Sequence, residues 1–199
     1  MPPVVLRNHP AVQDPLIVVL SFLDAYGHLE VRDGSPATFG EIDLRLANRG
    51  GARISATEIE ETLELRRRIE RALRAIAADV SLAGAATSVP WVPLRELFDA
   101  FAGIHGMGVA KMTKALHRKR PALVPMLDSV VQTYLEDDDP GHQAPFGERA
   151  VALVRGYKRD LDANRMPVRA VRRELVRRGY EITEVRILDV LIWSASSGA

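Results

Sequence analysis

Residues 103–131 read GIHGMGVAKMTKALHRKRPALVPMLDSVV, and most of what the chain says about its function lies there. Gly106 and Gly108 bracket Met107, the pattern of a chain that leaves one helix, turns tightly with positive φ and starts another. Such a turn exposes backbone N–H groups. Behind it, Lys111, Lys114, Arg118, Lys119 and Arg120 fall within a segment, 109–125, that holds no Asp or Glu. A helix start beside five cations is a phosphate-binding arrangement. Only four of the 27 basic residues are Lys, and three of those four lie between 111 and 119, so the cluster is not simply the Arg bias of the whole sequence. Pro125 then opens a further helix, about 125–135, with Asp128 in its first turn.

The flanking sequence supplies helices and no convincing period-two alternation. A helix is predicted near 13–26, ending at Gly27, after a proline-broken and loose opening, MPPVVLRNHP. The stretch 27–40 is turn-rich. Residues 40–48 carry Ile42, Leu44 and Leu46, a spacing that fits a short helix or a strand. Ser55 and Glu58 form a capping box ahead of a long amphipathic run through Ile59, Leu63, Ile69, Leu73 and Ile76. Its interleaved Arg and Glu are read as a solvated face of i,i+4 pairs. Residues 79–92 form a loop, and 93–102 form the helix before the Gly106 turn, so the hairpin motif spans about 93–117. Helices at about 146–163, at 167–179 closed by Gly179, and from Thr183 onward complete an all-α domain of two lobes over residues 1–199.

Bulk properties narrow the class. A chain of 199 residues with 47% hydrophobic content can bury one good core. The absence of Cys excludes disulfides and Cys-ligated zinc or iron–sulfur centres. The apolar run Leu16–Leu23 is broken by Ser21 and is too short to span a bilayer; with no signal-peptide pattern, a cytoplasmic location is expected. Net charge is +1, but Glu136–Asp139 is an acidic run, read as a solvated loop, whereas 155–178 is rich in Arg.

In order and spacing, these features resemble the helix-hairpin-helix DNA glycosylase superfamily. Gly106-Met107-Gly108 is similar to its hairpin, and Pro125-Met126-Leu127-Asp128 to its proline–aspartate step, with 20 positions from Gly108 to Asp128. A closer resemblance, across most of the chain, is to an uncharacterised actinobacterial family sharing HRKRPALVPMLDSVV and the ending RILDVLIWS. The superfamily resemblance implies that Gly106, Met107, Gly108, Lys111, Lys114, Arg118, Lys119 and Arg120 hold duplex DNA. A monovalent cation would sit at the hairpin, and a flipped nucleotide would enter a pocket between the lobes. Asp128 would then be catalytic, stabilising the positive charge on the deoxyribose or orienting water. No redox cofactor and no metal are implied.

The chain departs from that pattern in three places. Bifunctional members carry Lys two positions after the second hairpin glycine, where this chain has Ala110; Lys111 lies about 100° around a helix from it, which disfavours lyase chemistry. Asp128 is followed by Ser129-Val130-Val131, and His105 stands where the hairpin commonly has proline. Two alternatives therefore stay open: a non-catalytic DNA-binding or structural protein of the same fold, or a protein-interaction module, such as a toxin, antitoxin or defence component, whose hairpin is a packing device. Taken alone, Asp128 reads as an N-cap. Trp91 and Tyr134 are candidates to stack on a base, though Trp91 could instead pin its loop to the core. Trp193 is read as core, and the five His show no metal-ligand spacing.

Overall fold

A computed structural model describes residues 1–27 and 35–196. The turn-rich reading of 27–40 falls largely on 28–34, outside the described residues. The fold is all-α: ten α-helices are present among the described residues, and the only β-type pairing there is an isolated antiparallel bridge between Val4 and Val12.

Helix α1 (Pro15–Tyr26) begins with its proline at the first helical position, where the missing N–H costs nothing. Residues 41–49 resolve as helix α2 (Glu41–Arg49), because Asp43, Leu44 and Ala47 bury one helical face. The Ser55–Glu58 capping box forms as expected: Ser55 Oγ accepts the Glu58 N–H, and Glu58 Oε2 accepts the Ser55 N–H at 2.6 Å. The long run it opens is two helices, α3 (Ala56–Glu64) and α4 (Arg66–Arg74), broken at Leu65. No glycine or proline marks that break, so the hydrophobic period passes straight through it.

Helix α5 (Trp91–Asp99) starts two residues earlier than expected, with Pro93 still inside the first turn, and places Leu94, Leu97 and Phe98 in the core. The hairpin loop leads into α6 (Val109–Lys119), and α7 (Ser129–Tyr134) begins only after Asp128. The sequence pattern opens that helix at Pro125. Asp128 is instead extended, at φ −73° and ψ −178°, and its carboxylate caps the helix, so 125–127 stay outside. Helices α8 (Phe146–Ala163), α9 (Arg165–Arg177) and α10 (Glu184–Ser196) follow. Helix α9 ends in a Schellman turn: Gly179 adopts φ +86°, Tyr180 N–H donates to Leu175 O, and Gly179 N–H donates to Val176 O.

Helices α1, α7, α8 and α9 pack around α10. The second group runs α6–α2–α3–α4–α5, and α5 returns to α8, so the two groups share one continuous apolar core. Two expectations for the periphery are corrected. The opening segment is docked, because Val4 and Leu6 are buried and the Asn164 side chain both accepts from Val5 N and donates to Val5 O, each at 2.8 Å. The acidic run is solvated only in part: residues 136–138 form a 3-10 turn with Glu136 and Asp137 exposed, whereas Asp138 pairs with Arg7 and Arg159 and Asp139 pairs with Arg149.

Candidate functional site

The five cations after the hairpin do not share one neighbourhood. On α6, Lys111, Lys114 and Arg118 recur at i, i+3 and i+7 and so lie along one face. Lys119, one residue beyond Arg118, turns inward: its Nζ sits 2.6 Å from Asp43 Oδ1, with both side chains 3% exposed. Arg120 is buried too, and its guanidinium donates to Leu73 O and Ile76 O at the C-terminal end of α4 and to Pro36 O. Its role there is to satisfy carbonyls that a helix end leaves unpaired.

The hairpin has acquired acidic neighbours. Of its two glycines only Gly106 needs positive φ, at +81°; Gly108 is extended and leads into α6. A Cβ on Gly106 would come within 2.5 Å of Glu58 Oε1, so a larger residue there must displace that carboxylate. The same oxygen accepts from Lys111 Nζ at 2.5 Å, and Glu61 accepts the His105 backbone N–H at 3.1 Å. Burial would raise the Glu58 carboxyl, but Lys111 and the two Ser55 bonds outweigh it and hold the group below its ordinary range. Met107 is buried and serves the core.

Asp128 fares differently. Its Oδ1 accepts the Val131 N–H at 3.1 Å, yet the side chain remains 26% exposed and its other oxygen lies 3.9 Å from Lys114 Nζ. Lys114 also donates to Gly50 O at the end of α2. Both residues line a cavity of about 250 Å³ between the two helix groups. Arg118 enters from α6, and Arg186 and Asp189 enter from α10.

Three aromatic rings form one wall. Phe22 and Tyr26 of α1 lie 5.3 Å apart, and each lies 6.3 Å from Trp193 of α10 by ring centroid. The Arg186 guanidinium stacks 4.9 Å above Phe22. Trp193 is therefore not a core residue as expected: it is 38% exposed at the edge of the cavity. Sequence reasoning passed over Phe22, Tyr26, Arg186 and Asp189 because nothing local ties α1 to α10. The signal available was polar or aromatic residues interrupting two otherwise apolar helices.

The two residues proposed for base stacking lie elsewhere. Trp91 opens α5 beneath the Arg155 guanidinium, 4.4 Å from its ring centroid. Tyr134 is buried behind α7 beside His9, its hydroxyl accepts the Arg7 N–H, and burial pushes its pKa up to about 12. His117 is likewise internal, with Nδ1 2.6 Å from Val124 O. Among the described residues no group of three His, Asp or Glu side chains is placed to hold a metal ion, and no helix is long and apolar enough to cross a membrane.

A family model described as "Family of unknown function (DUF6308)" matches residues 21–196, and the chain belongs to that family. No curated protein and no solved structure matches the chain. The family match agrees with the expected kinship to an uncharacterised family. It carries no glycosylase likeness, which rests on the residues of the hairpin and of the proline–aspartate step alone.

Proposed function

We propose that this chain binds duplex DNA and takes one nucleotide out of the stack into the cavity beside Asp128, acting as a monofunctional N-glycosylase. The supporting observation is the position of Asp128. Its partly exposed carboxylate shares the cavity with Lys114 and Arg118 and looks across to an aromatic wall. In this reading Lys114 and Arg118 meet the phosphate, the base lies among Phe22, Tyr26 and Trp193, and C1′ of the sugar comes to Asp128. As the C1′–N bond breaks, its electron pair leaves with the base and the carboxylate stabilises the oxocarbenium ion. Water then adds to C1′, and the proton it loses balances the one the base gains.

Ala110 supplies no amine, and the Lys111 amine is engaged by Glu58, so a lyase step has no nucleophile at the hairpin. The decisive experiment is base release from damaged or mismatched duplexes. Asn caps helices as well as Asp does, so Asp128→Asn should fold and bind DNA normally while losing base release. Equal release by the variant rejects the assignment.

A second reading is favoured by the acids on the hairpin. Glu58 and Glu61 neutralise Lys111 and occupy the His105 amide, which is how a hairpin used for packing within a protein-interaction module would look. A monovalent cation between hairpin and phosphate would offset those acids in the DNA-binding reading. Salt dependence separates the two. In the DNA-binding reading Lys114→Ala weakens binding and lowers the slope of log affinity against log salt by about 1; in the other, no salt-dependent DNA binding exists to lose.

A further inference from the structure

Asp189 is the most deeply buried acid of the cavity. The residue is 2% exposed yet lines the hollow. Its Oδ2 accepts the Met126 N–H at 3.3 Å, while Oδ1 has no hydrogen-bond partner among the described residues. The Tyr157 hydroxyl lies close enough to draw on this carboxyl, but its one proton is donated to Val185 O at 2.5 Å, so it gives Oδ1 no donor of its own. Buried polar atoms are almost always paired, and an exception at a cavity wall points to something the cavity binds.

Building on the reading that a base enters this cavity, we propose that Asp189 recognises the edge of that base, with Oδ1 meeting a ring nitrogen or carbonyl oxygen while Oδ2 stays on the Met126 amide. The amide bond marks Oδ2 as the acceptor, so a proton on this carboxyl resides on Oδ1 and is available to donate. Burial, reinforced by Asp128, raises the carboxyl to about 7 against the opposing pull of Arg186, the Met126 amide and Tyr157. The charged and titratable groups around it are Arg186 on α10, Tyr157 on α8, Asp128 ahead of α7, Lys114 and Arg118 on α6, and Tyr26 on α1. Of these groups, Asp189 alone is a fully buried carboxyl with an oxygen that receives no donated hydrogen bond among the described residues. The ligand class is a planar heterocycle with an acceptor on its exposed edge; an apolar ring of the same shape would leave the carboxyl unpaired and be rejected.

The test uses a duplex carrying one 2-aminopurine, whose fluorescence rises on unstacking. Wild type should produce that rise at pH 6 and lose it as the pH is taken to 8.5. Asp189→Leu, of similar volume but without a donor, should capture the base about tenfold less well with duplex affinity by anisotropy unchanged. Asp189→Asn keeps a donor and should restore capture, now independent of pH. A rise in Asp189→Leu equal to wild type overturns the assignment and leaves base entry standing. Should Asp189→Leu fail to fold, the same pH dependence in Asp189→Asn as in wild type overturns it. Failure of wild type to unstack the probe at any pH removes base entry and this inference together.

Discussion

The Asp189 carboxyl makes the stability of the fold itself a function of pH. Burial lifts it from its ordinary 3.8 to about 7, so between those values the folded chain holds a proton that the unfolded chain has released. Stability then falls as pH rises, by roughly 1.4 kcal/mol per unit across the window, a total on the order of 4 kcal/mol between pH 4 and 7. Below pH 4 both states are protonated and above pH 7 both are ionised, so the contribution is flat on either side. Asn at this position keeps an acceptor for the Met126 amide but cannot ionise. Urea unfolding of wild type and Asp189→Asn at steps from pH 4 to 8.5 should show near-equal stability at the acid end. The variant should then draw ahead until the gap saturates just above pH 7. A gap that does not change with pH would refute the claim that this acid is kept neutral by burial.

Three further outcomes follow from other contacts. Lys119→Met leaves Asp43 buried without its cation and should cost about 3–5 kcal/mol by thermal unfolding; Arg45→Ala, which breaks the exposed pair with Glu41, should cost under about 0.5 kcal/mol. Gly106→Ala meets both the positive φ and the Glu58 carboxylate, and a loss of about 1–3 kcal/mol in urea is expected; no loss would mean the turn is not held as described. Asp128→Ala should cost about 1 kcal/mol through the lost cap, and Asp128→Asn only a few tenths.

The helices were legible wherever a local rule decided them. The Ser55–Glu58 box and the Gly179 stop each depend on residues within one turn, and each stands where the sequence puts it. Boundaries were lost where packing overrode the pattern, as at Leu65 and at Asp128, whose capping delays α7 past Pro125. Asp128 and Lys114 were visible as residues, but their shared cavity was not, because its other wall comes from α1 and α10 at the two ends of the chain. Charge was the least transferable signal. Lys119 and Arg120 look like Lys114 and Arg118 in the sequence, yet a helical step of about 100° turns Lys119 inward to Asp43. Arg120, past the helical residues at φ −137°, reaches the end of α4.

The docked opening segment has a consequence for anyone trimming this protein to the matched span of residues 21–196. Arg7 reaches across to Asp138 and Asp160, whose side chains are 11% and 15% exposed, and its backbone N–H donates to Tyr134 on the short helix that Asp128 caps. Cutting at residue 21 would strip the counter-charge from Asp160, leave Asp138 to Arg159 alone and remove the brace behind the helix that Asp128 caps. The opening segment is part of the packing behind α7, and a shortened version would be a poor standard against which to judge activity.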